Sequence, residues 1–468
     1  MFVITWILRF LQQIIAQPAL LIGLIAMVGL LVEKKSSTDV IKGSLKTVLG
    51  IILIGSGAGI VIAGLTPLND LLTKTFNITG VIPVNEVMFA QAIAKYGSEM
   101  AAIMALAMCA NLLLARITKF KFIYLTGHEL MWISTLMAII LNIANLPAWE
   151  VIVGGGLLTG LYMAIAPSLI YGSVCKVTGS KEIAVGHTGT VYYWFAIAIA
   201  KLTGNKEKSC EDVNVPKNLN FLRDLSVSLT LAMWAVYLVV ILLAIIFKPT
   251  VMAEVFGTDN SFILGLMDSV TLAAGIYIIQ AGVRMMIGEL VPAFKGISDR
   301  FIPNSVPAVD IPVLYPYQPN SVLIGFLVAT IGSIVGFGIT LLLVHTSWAL
   351  PIMIPTLFNA FFYGATFGAL CNKEGGVRGV VFGSFFGGIV TIILPALLMS
   401  VGHIVINNTT FGGGDSAVIG VFFGLLSKAL SGQGLFITIL VLFLLPILFG
   451  RVRNRVPAKS EQAVQGAK

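Results

Sequence analysis

The chain has 468 residues, of which 57% are hydrophobic and 11% charged, with a formal net charge of +8 at pH 7. A soluble protein of this length needs far more polar surface, and a helix needs roughly 20 apolar residues to cross about 30 Å of hydrocarbon. Runs of that kind without an ionised side chain occur at 14–32, 225–247, 321–345 and 432–450, so the composition excludes a soluble fold and points to an all-α polytopic membrane protein. The basic excess reads as loop charge that orients the chain in lipid; nucleic acid is not an expected partner.

In chain order, residues 1–13 form an amphipathic segment with Arg9, Gln12 and Gln13 and no pattern of a cleaved signal. The membrane-embedded unit, 14–450, follows. Apolar runs between charged punctuation predict eleven crossings, near 14–32, 44–66, 98–115, 121–144, 149–172, 225–247, 262–287, 321–345, 349–371, 378–400 and 432–450. Two shorter apolar stretches, 188–200 and 416–430, are flanked by glycine and polar residues and predict re-entrant hairpins or half-helices. The tail, 451–468, carries Arg451, Arg453, Arg455, Lys459 and Lys468 against Glu461, which places it in the cytoplasm.

An odd number of crossings then puts the N-terminus outside. The predicted outer loops hold only Lys74, Lys95 and Lys248, whereas Lys34, Lys35, Arg116, Lys119, Lys121, Lys373, Arg378 and the polar 201–224 connection fall inside. Five crossings precede the sixth and five follow it, so the halves have opposite orientations, as an inverted-repeat transporter requires. Cys109, Cys175, Cys210 and Cys371 are widely spaced with no CxxC, and neither a disulfide, a metal site nor a cofactor is expected. No nucleotide-binding motif is present; Gly55-Ser56-Gly57-Ala58-Gly59 and Gly154-Gly155-Gly156 lie inside apolar runs, where close helix packing or a broken helix is the better account.

Polar residues inside apolar sequence carry the functional argument, because they are costly in lipid and usually face a cavity. Gly127-His128-Glu129 opens one apolar segment: either a substrate contact by His128 or an interfacial pair at a helix end. Gly186-His187-Thr188-Gly189 opens the first short segment, as a binding hairpin or a turn. Pro307 to Pro312 hold Asp310 on backbone that cannot be regular helix, where its carboxylate either accepts substrate hydroxyls or caps a helix; elsewhere in the 288–320 stretch, which also holds Lys295, Glu289, Asp299 and Arg300 read as structural or solvated. Asn85-Glu86 lies in an outer segment that is either a fold-back or an exposed loop.

At these residues the chain resembles the membrane-embedded IIC subunit of the ascorbate-type phosphoenolpyruvate-dependent sugar phosphotransferase system. The resemblance rests on Ile41 to Thr47, Leu125 to His128, Val185 to His187, the specific block Gly282 to Asp310, Pro319-Asn320 and Ala365-Thr366, and extends over about residues 15–450. It implies a homodimer whose protomers divide into a V-shaped dimerisation domain and a core domain that carries substrate across like an elevator. It also implies separate IIA and IIB chains, the latter bearing a phosphocysteine that phosphorylates the sugar at the cytoplasmic face of the bacterial plasma membrane. His128, His187 and Asp310 match substrate contacts of the family, with Gly57 and Thr366 as further matches. Trp132 and Thr188 stand where glutamines are expected, Glu86 beside Asn85 where a tyrosine is, and Ala58 where a serine is. Two carboxylates at one ligand disfavour the ascorbate anion and suit a neutral sugar or polyol, whose carbon face can stack on Trp132. Asp310 is the candidate for orienting or deprotonating the accepting hydroxyl. Two other classes remain: a proton-coupled secondary transporter using Glu86, Asp310 and the histidines, and a membrane enzyme, for which four scattered histidines supply no catalytic cluster.

Overall fold

Helices that are apolar on every face can be satisfied only by other helices or by lipid. The computed structural model, which describes residues 18–76, 80–213, 225–302, 305–344, 346, 350–406 and 409–453, is built from such helices. They are α1 (Pro18–Val32), α2 (Ser37–Phe76), α3 (Asn85–Ile117), α4 (Gly127–Ile143), α5 (Ala148–Thr178), α6 (Thr190–Thr203), α7 (Leu225–Phe247), α8 (Thr250–Phe256), α9 (Ser261–Phe301), α10 (Pro319–Leu343), α11 (Leu357–Ser400), α12 (Gly414–Ala429) and α13 (Gly432–Arg453). Eight of the described helices are long and apolar enough to cross a membrane, and α4 is a shorter apolar helix. Leu242, Ile246 and Phe247 of α7 and Leu444, Leu448 and Phe449 of α13 are exposed, a surface that only lipid or another apolar surface tolerates. The protein is an all-α polytopic membrane protein. The predicted N-terminal segment 1–13, residues 214–224 of the polar connection and the tail beyond 453 lie outside the described residues, as do the side chains of Ala58, Glu289, Lys295, Asp299 and Arg300.

Several predicted boundaries differ from the observed ones: the runs 44–66 and 98–115 lie inside the longer α2 and α3, so Asn85-Glu86 opens a helix and not an outer loop. The run 121–144 begins as a strand, β2 (Phe122–Tyr124), and turns helical only at Gly127. The crossing expected from 349 is extended until Thr356, whose hydroxyl caps α11 by accepting from the Asn359 N–H. The helix expected to end near 287 continues to Phe301. The prolines that forbid helix in the described chain come later, at Pro307, Pro312 and Pro316, and there the chain is strand β4 (Val306–Val309) followed by a 3-10 turn, Ile311–Tyr317. The pair 349–371 and 378–400 corresponds to α11, which breaks at Gly376 (φ 59°, ψ −155°). A Cβ there would lie 2.2 Å from the Asn205 carbonyl oxygen, so only glycine fits this corner.

Short parallel strands join the connections. β1 (Ile82–Pro83) pairs with β5 (Thr409–Thr410), while β4 lies between β2 and β3 (Ala184–Val185). Backbone without helix cannot leave its N–H and C=O groups unpaired away from water, and these pairings supply the missing partners. Two large apolar clusters flank them. One is built on α2–α5 and α7–α9 and includes Phe89, Trp132 and Ile279; the other joins the end of α5 to α6, α10 and α11 through Tyr192, Tyr193, Tyr363 and Phe367. Two of the three predicted outer lysines meet: Lys248 Nζ donates to the Lys74 carbonyl at 3.0 Å, and Lys74 pairs with Glu254 at 3.5 Å.

Candidate functional site

Each strand releases the chain into a helix within a few residues, and the helix starts converge. Glu86 sits in the first turn of α3, Glu129 in the first turn of α4 and Asp415 in the first turn of α12. Asp310 is the N-cap of the 3-10 turn, its Oδ1 accepting the Ile311 N–H at 2.8 Å. A helix N-terminus carries unpaired N–H groups and a partial positive charge, which is how a bilayer protein holds carboxylates away from bulk water without a matching lysine for each.

Asn85, Glu86, His128, Glu129, His187 and Asp310 line one cavity of about 270 Å3. Trp132, Phe358, Phe362 and Tyr363 give it apolar walls, Asn359 adds an amide, and Gln280 and Arg284 close it from α9. Three carboxylates therefore share the chamber with one guanidinium and two imidazoles. Trp132 is 1% exposed and packs edge-on against Phe89 and His128, with ring centres 5.7 and 6.3 Å away. The Arg284 guanidinium lies 5.8 Å from the Tyr277 ring centre.

Hydrogen bonds fix the rims of the cavity. Asn85 Oδ1 accepts the Gly412 N–H at 2.8 Å, and Asn359 Nδ2 donates to the Pro83 carbonyl at 2.7 Å, tying the β1–β5 pair to the site. Asp415 joins the two short helices: Oδ1 accepts the Val191 N–H at 2.6 Å, Oδ2 accepts the Tyr162 hydroxyl at 2.7 Å, and its own N–H donates to the Thr188 carbonyl. The segments expected at 188–200 and 416–430 are thus a pair of half-helices, α6 and α12, meeting at their N-termini.

Of the residues singled out from sequence, Asn85, Glu86, His128, Trp132, His187 and Asp310 are brought to the cavity, and three are not. Gly57 is a packing position: a Cβ there would lie 2.7 Å from the Gly275 carbonyl oxygen, one helix removed from the chamber. Thr366 is buried behind the wall, donating to the Phe362 carbonyl at 2.7 Å, with the Tyr315 hydroxyl at 3.4 Å. Thr188 contributes its backbone N–H to Glu129 at 2.8 Å, and its hydroxyl is buried against Gly413. Sequence reasoning passed over Glu129 as a site residue, and over Asn359, Tyr363, Arg284 and Asp415. The one signal within reach was Gly412-Gly413-Gly414-Asp415, a glycine run ending in an acid at the mouth of the second short segment.

A profile of the PTS system sugar-specific permease component family, EIIC-GAT, matches residues 13–415. The chain belongs to that family. Among curated proteins, the permease is 28% identical over 414 residues to the ascorbate-specific PTS system EIIC component of Mycoplasma pneumoniae, an alignment covering 78% of this chain and 62% of that relative. Burial, with the Glu211 carboxylate as its neighbour, pushes the Cys210 thiol up to about 11. A thiol so rarely ionised at neutral pH is a poor phosphoryl acceptor.

Proposed function

We propose that this permease is the sugar-carrying IIC subunit of a bacterial phosphotransferase complex, binding a neutral sugar or polyol in the cavity. The substrate is carried inward and phosphorylated at the cytoplasmic face by the phosphocysteine of a separate IIB chain, itself recharged by IIA. The observation that carries the substrate class is the convergence, among the described residues, of Glu86, Glu129 and Asp310 on one chamber with one guanidinium and two imidazoles. Carboxylates accept hydroxyl protons well and repel an anion, whereas Trp132, 1% exposed, is a buried wall rather than the stacking face expected from sequence. Ascorbate, named for the Mycoplasma relative, is the charged alternative to this substrate class, and a related neutral sugar or polyol is the better electrostatic fit.

In this reading Asp310 orients the accepting hydroxyl and takes its proton. The phosphorus–sulfur bond of the donor breaks as the phosphorus–oxygen bond to sugar forms, and the cysteine leaves as thiolate. The protein works as a homodimer with a V-shaped dimerisation domain and a moving core, in the cytoplasmic membrane with its C-terminus inside. Uptake of labelled sugar into inverted-free, right-side-out vesicles loaded with the soluble phosphotransfer proteins tests it. Accumulation that requires phosphoenolpyruvate and yields sugar phosphate is the expected result. Accumulation of unmodified sugar that a protonophore abolishes overturns it in favour of a proton-coupled transporter.

A further inference from the structure

Two histidines and three carboxylates in one chamber raise the question of which acid each ring proton serves. His187 answers for itself. The Gly189 N–H points at its Nδ1 at 3.0 Å, and a backbone N–H can only donate, so Nδ1 presents a lone pair there. The Tyr193 hydroxyl lies on the same nitrogen at 3.0 Å. The ring proton is therefore on Nε2, which lies 3.1 Å from Glu129 Oε1. Nδ1 of His187 is thus engaged by the protein, and its Nε2 stands at ion-pair distance from Glu129 on the cavity wall.

His128 reaches the same oxygen. Its Nδ1 is buried with no hydrogen-bond partner among the described residues, so a proton there would be stranded. Its Nε2 lies 3.3 Å from Glu129 Oε1 and 3.5 Å from Asp310 Oδ2. One N–H cannot serve both acids fully. Glu129 has a side chain 3% exposed and needs donors most, whereas Asp310, at 37%, opens on the cavity. Glu129 Oε2 takes the Thr188 N–H at 2.8 Å.

We propose that Glu129 is the positioning residue of this site: its carboxylate faces the Nε2 atoms of both His128 and His187, holds the His187 ring in one tautomer, and leaves Asp310 Oδ2 free to accept a substrate hydroxyl. The assignment deepens the carrier reading through its last clause, but the tautomers stand independently of any substrate. His187 thereby becomes the post that holds the loop, and Asp310 the acceptor. No isosteric amide can replace Glu129, because one end of a glutamine would face either the two Nε2–H groups or the Thr188 N–H with an N–H of its own.

The test is nitrogen-15 NMR of ring-labelled histidines in the full-length permease in nanodiscs, without ligand. The expected wild-type spectrum has His187 protonated at Nε2 and bare at Nδ1. Glu129→Gln should shift the ring signals of both His128 and His187, whereas Asp310→Asn should leave those of His187 in place. A wild-type His187 protonated at Nδ1 overturns the proposal, as does a Glu129→Gln spectrum matching the wild type in both rings. Should Glu129→Gln fail to fold, the wild-type tautomers and the Asp310→Asn spectrum decide it. Failure of phosphoenolpyruvate-dependent uptake would bear on the carrier reading and leave these spectra untouched.

Discussion

Replacing Asp310 by asparagine separates charge from shape at the point where the cavity meets its cargo. The fold has little reason to change, because an amide oxygen can still accept the Ile311 N–H that Asp310 Oδ1 now accepts at 2.8 Å. What is lost is a charged acceptor at Oδ2, replaced by an N–H donor facing His128 Nε2 from 3.5 Å. A hydrogen bond to a charged group contributes about 1.5–3 kcal/mol, and each 1.4 kcal/mol is tenfold in affinity. Sugar binding should weaken roughly 10- to 150-fold, read by isothermal titration of purified protein. Phosphorylation in the reconstituted complex should fall further, since binding and proton acceptance are both impaired, while membrane insertion stays intact. A variant that binds within twofold of wild type and is phosphorylated at the same rate removes Asp310 from the mechanism.

Three further substitutions test the architecture. Gly57→Ala puts a methyl 2.7 Å from the Gly275 carbonyl oxygen and should cost about 1–3 kcal/mol through overpacking of α2 on α9, lowering the melting temperature in detergent. Gly59→Ala, with nothing within 4 Å of its Cβ, should leave it unchanged. Trp132→Ala opens a void at a 1% exposed position and should destabilise by about 3–5 kcal/mol; Trp132→Phe should recover most of the thermal stability. Lys176→Met strips the Glu374 carboxylate, 1% exposed, of the ammonium 2.8 Å away and leaves it the Ser173 hydroxyl at 2.7 Å. That should cost about 1–3 kcal/mol, much of it restored in a melting assay by adding Glu374→Gln.

Much of this organisation is legible in the sequence. Lipid admits few backbone solutions, so long apolar runs such as 225–247 and 432–450 translate directly into α7 and α13. The two stretches too short to cross became α6 and α12 for the same reason: glycine and polar residues at their starts mark broken helices. His128, His187, Asp310, Asn85, Glu86 and Trp132 could be gathered because polar groups in apolar sequence need one another. Glu129 stayed hidden because adjacency on a helix gives no hint that its carboxylate reaches a loop 59 residues away. Asn359 and Tyr363 were equally silent, since they reach the cavity only through the pairing of distant connections. Gly57 misled in the opposite direction: a glycine in an apolar run fits a pocket and a helix crossing equally well, and only the approach of α9 decides between them. The extension of α9 to Phe301 shows the same limit, for charged residues there resemble a loop until the helix is seen to continue.

The most direct measurement is competition binding on the purified permease, with ascorbate set against a panel of pentitols, hexitols and neutral monosaccharides. The account predicts that a neutral member of the panel binds tightest and that ascorbate fails to displace it at comparable concentration. High-affinity ascorbate binding that an excess of every neutral sugar leaves undisturbed would contradict it.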